Sequence, residues 1–118
     1  MVKSILIIDD DLNDLETMKL VLEKEKYNLM TADNGADALD LVRKDKPDLI
    51  LIDIKMPTLS GYDLLRLLRE RLNHHVKMVY VSIVPKSDVD LTDIDGFVQK
   101  PFMPTGLIKE IKKVLAKK

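Results

Sequence analysis

The sequence predicts an α/β fold in which a parallel five-stranded sheet lies between two layers of helices. Three observations predict it. Short β-branched or leucine-rich runs alternate with longer stretches of helical periodicity. That strand–helix–strand repetition implies parallel pairing with right-handed crossovers. Finally, the runs Ile5-Leu6-Ile7-Ile8 and Leu49-Ile50-Leu51-Ile52 are continuously apolar, as central strands covered on both faces should be.

The first strand is expected over Ser4–Asp9, and Leu15, Met18 and Leu22 then share one face of a helix. The second strand is expected over Tyr27–Ala32. Its helix begins near Asn34-Gly35, carries Ala38, Leu39 and Val42, and is stopped by Pro47. The third strand, Leu49–Asp53, leads through Ser60-Gly61 into a helix with Leu64, Leu65, Leu68 and Leu72 on one side. After a fourth strand at Lys77–Ser82, the stretch from Lys86 to Asp95 offers only Val89, Leu91 and Ile94 as apolar residues, so its helix is expected to be short or absent. The fifth strand, Phe97–Gln99, precedes a last helix built on Leu107, Ile108, Ile111, Val114 and Leu115. Pro104 suits that helix's first turn, where a missing N–H costs nothing. Gly106 soon after it costs about 1 kcal/mol against alanine. Lys112, Lys113, Lys117 and Lys118 complement the negative end of the helix dipole.

Length and charge narrow the function. The 118 residues suit one domain, read here as a single unit over 1–118 with no output domain, so any output must come from its own surface. With 19 basic and 20 acidic residues, the formal net charge is −1, which excludes a general nucleic-acid surface and gives no reason to expect an anionic membrane. There is no cysteine, so disulfides, thiolate metal sites and cysteine nucleophiles are ruled out. No apolar run approaches the roughly 20 residues of a membrane span, and no signal peptide precedes the first strand-like run. A cytoplasmic location is expected.

Four acids sit where strands end: Asp9, Asp10 and Asp11 after the first, Asp53 after the third. Ligands of open parallel sheets bind outside the carboxyl ends of the strands. Carboxylates converging there repel and raise one another's pKa, so the cluster calls for a cation. Oxygen-only ligation suits a hard ion, Mg²⁺ above others. The plainer reading is that these acids cap the following helix. That reading is preferred for Asp11, and is weaker for Asp9 and Asp10 because Asp53 repeats the placement on another strand. Ser82 closes the fourth strand with a hydroxyl, and Lys100 follows the fifth with an ammonium. Alone, each would be a turn former or a solvated charge. Carboxylates, a hydroxyl and an ammonium at one sheet edge fit phosphoryl chemistry, in which a carboxylate can accept the phosphoryl group and cations neutralise its oxygens.

Three segments resemble the receiver domains of two-component signalling. Ile5-Leu6-Ile7-Ile8-Asp9-Asp10-Asp11 is similar to the family's first strand and acidic pair. Pro47-Asp48-Leu49-Ile50-Leu51-Ile52-Asp53-Ile54-Lys55-Met56-Pro57, continued by Ser60-Gly61-Tyr62, resembles its phosphoacceptor strand. Phe97-Val98-Gln99-Lys100-Pro101-Phe102 resembles its closing segment. The match runs from Lys3 to about Leu115.

The resemblance implies a flavodoxin-like (βα)5 sandwich with strand order 2-1-3-4-5, and a phosphorylation-dependent signalling switch rather than an enzyme. Asp53 would be the phosphoacceptor. Asp9, Asp10, Asp53 and the backbone carbonyl of Lys55 would hold Mg²⁺. Lys100 would pair with Asp53 and then with a phosphoryl oxygen. Ser82 would move toward that group while Phe97, the aromatic switch position, turns inward; the plainer reading of Phe97 is an ordinary core aromatic. The Lys100-Pro101 bond is expected to be cis, as in the family. A histidine kinase or phosphotransfer protein would be the donor, a downstream protein the target, and phosphate loss would be slow and self-catalysed.

Two features depart from the family pattern. Ile83 stands where a small residue is usual and could crowd the pocket mouth. The stretch from Ser82 to Phe97 is several residues short, so the family's docking and dimerisation face around the fourth helix is not carried over, and a weak or phosphorylation-dependent dimer is the furthest oligomeric expectation. Three other readings compete. A phosphorylation-silent receiver-like interaction module would account for both departures. A haloacid-dehalogenase-type phosphatase would use the Asp-x-Asp within Asp9-Asp10-Asp11, but Asn13 and the short chain count against it. A flavodoxin relative would need a Ser/Thr-rich phosphate loop where this chain is acidic. His74-His75 reads as a solvated loop, and the resemblance places Lys55 and Val84 at positions that tune phosphate lifetime in the family.

Overall fold

The computed structural model describes residues 2–72 and 76–117, which leaves the expected His74-His75 loop outside the described residues. Strands β1 (Ser4–Ile8), β2 (Asn28–Ala32), β3 (Leu49–Ile52), β4 (Lys77–Ser82) and β5 (Gly96–Gln99) alternate with helices α1 (Leu12–Glu23), α2 (Gly35–Lys44), α3 (Gly61–Arg71) and α4 (Pro104–Ala116). The strands form one parallel sheet in the expected order β2-β1-β3-β4-β5. Among the described residues, no helix is long and apolar enough to cross a membrane.

The continuous apolar runs serve both faces of the sheet, because successive strand side chains point to opposite sides. Leu6, Ile8, Ile50, Ile52, Met78 and Tyr80 join Ala38 and Val42 of α2 and Leu64 and Leu68 of α3 in one core layer. Ile5, Ile7, Leu49, Leu51, Val79 and Val81 meet Met18 and Leu22 of α1 and Leu107, Ile111 and Val114 of α4 in the other.

The helices begin where short polar side chains can satisfy orphan N–H groups. Asp11 accepts from the N–H groups of Asn13 and Asp14, Asn34 from that of Asp37, and Ser60 from that of Asp63. Pro104 occupies the first turn of α4. Helix α2 ends at Lys44, ahead of Pro47, since the residue before a proline is driven out of the helical region. Two strand starts differ by one residue from expectation. β2 begins at Asn28, after Lys26 turns the chain with φ 64°. β5 begins at Gly96, which pairs with Val79; a Cβ there would lie 2.7 Å from a Glu110 carboxylate oxygen and 2.8 Å from Val114, so only glycine lets α4 pack this close.

The crossover from β4 to β5 carries a three-residue 3₁₀ turn, Lys86–Asp88, in place of an α-helix. Its aspartates oppose helix formation: Asp90 accepts from the N–H of Thr92, two residues on, and Asp93 has φ 62°. Side chains from elsewhere pin the segment instead. Arg69, near the end of α3, donates to the Val76 carbonyl at 2.8 Å, the Asp93 carbonyl at 2.9 Å and the Asp95 carboxylate at 3.0 Å. Asp95 also accepts from the Met78 N–H at 2.8 Å, and Tyr62 Oη accepts from the Asp90 N–H at 3.3 Å. Val89 fills the core layer beneath.

Candidate functional site

Sheet register builds the site. β1 and β3 pair from Ile5↔Leu49 through Ile8↔Ile52, so the next residue on each strand is an aspartate. The Asp53 N–H donates to the Ile8 carbonyl at 3.0 Å and that of Asp9 to the Ala32 carbonyl at 3.2 Å, which carries the ladder one step further and sets the two acids side by side. Asp9, Asp10 and Asp53 each offer a carboxylate oxygen within 4.8 Å of the others. Asp9 is fully buried and Asp53 nearly so, while Asp10 faces solvent.

The β3–α3 loop is held against this edge by Gly61. Its N–H donates to the Ile54 carbonyl at 2.8 Å. A Cβ at this position would stand 2.3 Å from the Asp53 carbonyl oxygen and 2.7 Å from Ile54 Cα, both backbone atoms, so the helix end can approach the strand only as glycine. Lys55 follows Asp53 in this loop, and its carbonyl accepts no hydrogen bond among the described residues. At the far side of the edge, Lys100 follows β5, its N–H donating to the Ser82 carbonyl at 2.8 Å, and the Lys100-Pro101 peptide is cis.

The Lys100 ammonium pairs with Asp53 as expected, and the structure adds two closer partners. It donates to Asp9 at 2.7 Å and to Asp14 at 2.8 Å, and stands 3.8 Å from the Asp53 carboxylate. The physical reason is that Asp9 is fully buried and needs the nearest cation, while Asp14 reaches back from the first turn of α1. Asp14 was not singled out from the sequence, where it reads as an ordinary first-turn acid favouring the helix dipole. Asp11 is confirmed as the α1 cap. Its own N–H donates to Asp9 at 3.0 Å, so the cap also steadies the buried acid.

The electrostatics of the cluster favour a cation beside it. Burial, reinforced by the Asp9 charge and opposed by Lys100, pushes the Asp53 carboxyl up to about 6. Burial also raises Asp9, against the hydrogen bonds from Lys100 and the Asp11 N–H. Burial disfavours the Lys100 charge, but hydrogen bonds to Asp14 and Asp9 and the charges of Asp9 and Asp53 outweigh it and hold the ammonium above its usual range. One lysine therefore does not neutralise the acids around it. Three convergent oxygen donors of this kind, two of them buried, fit a hard divalent ion.

Ser82 is fully buried at the end of β4, and its Oγ accepts from the Val84 N–H at 3.3 Å. Ile83 is 60% exposed at the same edge. Phe97 lies opposite Tyr80 in the β4–β5 register and packs half-buried against the α2/α3 core layer. Tyr80 itself meets Tyr62 edge-on, with ring centroids 5.5 Å apart.

Sheet order and the paired acids beside a buried lysine together define a class of α/β signalling domain, and comparison with known proteins shows which. Residues 5–112 match the response regulator receiver domain family, and the chain belongs to it. The chain is 33% identical to the protein PilH of Pseudomonas aeruginosa over 95% of this chain and 97% of PilH. It is 35% identical to the response regulator GtcR of Aneurinibacillus migulanus over 95% of this chain but 47% of GtcR, so it spans about half the length of that relative. Among solved structures, it is similar to a CheY-like receiver domain of Methanospirillum hungatei, with TM-score 0.89 and 30% identity over 98% of this chain and 94% of the other. It is also similar to the Thermotoga maritima response regulator TrrA, crystallised with Mg²⁺ and BeF, with TM-score 0.86 and 31% identity over 96% of this chain and 99% of TrrA. Family membership sets aside the phosphatase and flavodoxin readings.

Proposed function

We propose that this domain is a phosphorylation-dependent switch whose acceptor is Asp53. The observation that carries the reading is the meeting of Asp9, Asp10 and Asp53 beside the buried Lys100 ammonium. The donor is the phosphohistidine of a histidine kinase or phosphotransfer protein. An Asp53 carboxylate oxygen attacks phosphorus, the P–O bond forms as the P–N bond breaks, and the donor imidazole leaves with the electron pair. Mg²⁺, held by Asp9, Asp10, Asp53 and the Lys55 carbonyl, would neutralise charge on the phosphoryl oxygens, as the family and the TrrA structure suggest. Lys100 has three N–H donors and uses two of them on Asp9 and Asp14, which leaves the third for a phosphoryl oxygen on Asp53, whose carboxylate lies 3.8 Å from the ammonium.

Ser82 then exchanges its contact with the Val84 N–H for one with the phosphoryl group, and Phe97 follows by moving into the layer it already touches. The output is a changed protein surface read by a downstream partner. The domain is not an enzyme acting on a separate substrate; it catalyses its own phosphorylation and its slow loss of phosphate.

Incubation with acetyl phosphate and Mg²⁺, followed by intact mass measurement, tests this. One added phosphoryl group is expected, absent with chelator and absent in Asp53→Ala. An unmodified mass at saturating donor and Mg²⁺ would overturn the reading in favour of a phosphorylation-silent interaction module.

A further inference from the structure

We propose that Asp14 is a positioning residue that tethers the Lys100 ammonium away from Asp53 and sets the balance between binding the cation and holding the phosphoryl group. The inference rests on the phosphoacceptor reading of Asp53 and assigns a function to a carboxylate that this reading does not use.

Geometry carries it. The Lys100 ammonium lies 2.8 Å from Asp14 and 2.7 Å from Asp9, but 3.8 Å from Asp53. Asp14 does not drift into this contact. Its N–H donates to the Asp11 carboxylate at 3.1 Å as part of the α1 cap, and the Asp11 N–H donates to Asp9 at 3.0 Å. One run of local hydrogen bonds thus fixes both acids that hold Lys100, and both belong to the β1–α1 junction rather than to the strand bearing Asp53. Asp14 is also the more exposed partner, with its side chain 40% accessible against none for Asp9. It can therefore give up the lysine to water at lower cost than Asp9 can.

The two ligand states make opposite demands on this tether. A divalent cation entering beside Asp9 is repelled by Lys100. Asp14 screens that repulsion by neutralising the ammonium, so it favours the cation. An anionic phosphoryl group on Asp53 needs the same ammonium, and Asp14 competes for it. Removing the Asp14 charge should then weaken cation binding and strengthen phosphoryl-mimic binding. Loss of packing or of helix stability would weaken both together, so opposite shifts separate positioning from a structural role.

The test titrates the full chain with Mg²⁺ alone, and then with beryllofluoride at saturating Mg²⁺, following backbone amide shifts. Asp14→Asn keeps shape and removes charge; it is expected to raise the Kd for Mg²⁺ and lower the Kd for beryllofluoride, each by about three- to fivefold, the range of a half-exposed ion pair. Asp14→Glu, which keeps the charge, is expected to bring both constants back toward wild type. Parallel weakening of both ligands, or no change in either, would overturn the proposal while leaving Asp53 as acceptor. Wild-type protein that binds neither ligand would overturn the phosphoacceptor reading and this proposal with it.

Discussion

Replacing Asp53 with asparagine should make the cation-free protein more stable. Burial and the neighbouring Asp9 charge hold this carboxyl at about 6, against 3.8 for an ordinary aspartate. The folded state therefore binds the proton more tightly than the unfolded chain does. Below pH 3.8 both states are protonated, and the site costs nothing through ionisation. As the pH rises past 3.8, the unfolded chain gives up its proton first and gains relative to the fold, so stability is lost progressively until the folded carboxyl also ionises near 6. Above that the cost is constant, and the pKa difference corresponds to about 3 kcal/mol. Asparagine keeps the shape without the charge, and the value of about 6 already includes the opposing attraction of Lys100, 3.8 Å away, so a gain of up to about 3 kcal/mol is expected at pH 7.5. Urea denaturation by circular dichroism in EDTA, run from pH 4 to 7.5 on both proteins, reads the difference directly. The gap between variant and wild type should be smallest at pH 4, widen through 6, and close again when Mg²⁺ stabilises the wild type. A gap that is constant across this range, or a variant less stable than wild type at pH 7.5, would refute the electrostatic account of the cluster.

Two other substitutions test the framework around the site. Gly61→Ala should destabilise the fold by about 2–4 kcal/mol in urea denaturation, because its Cβ would meet Asp53 and Ile54 backbone atoms that cannot move aside, and it should weaken Mg²⁺ binding measured on the same protein. Asp95→Ala should cost about 1–3 kcal/mol by the same assay, since it takes the acceptor from the Met78 N–H and removes one of the three partners of Arg69; a loss below about 0.5 kcal/mol would show that the crossover does not depend on this clamp.

What was legible in the chain follows from how each feature is encoded. Ile5–Ile8 and Leu49–Ile52 announce themselves as central strands because burial on both faces leaves no polar position. Asp9 and Asp53 could be paired in advance because parallel register converts matching strand ends into spatial neighbours. Asp11, Asn34 and Ser60 could be assigned to helix starts because capping is a local interaction. The misses are non-local. Asp14 and Lys100 are 86 residues apart, and nothing near Asp14 distinguishes it from any first-turn acid. Arg69 reads as one more basic residue late in a helix, yet its guanidinium reaches Asp95, 26 residues on, and replaces a missing helix as the anchor of a crossover. The 3₁₀ turn was expected only as a weakness in periodicity; its course is set by those long-range partners rather than by its own residues.

The placement of the acids on β1 and β3 has a mechanical consequence. Neither Asp9 nor Asp53 sits on a loop that can swing away; each is the first residue beyond a hydrogen-bonded strand in the middle of the sheet. Separating them by even one pairing step would mean shearing one central strand past the other by about 3.3 Å and exchanging the core layers into which its side chains pack. The charge repulsion between them is thus borne by the whole sheet, much as a keystone's load is borne by its arch, and an ion that relieves it tightens the molecule from its centre outward.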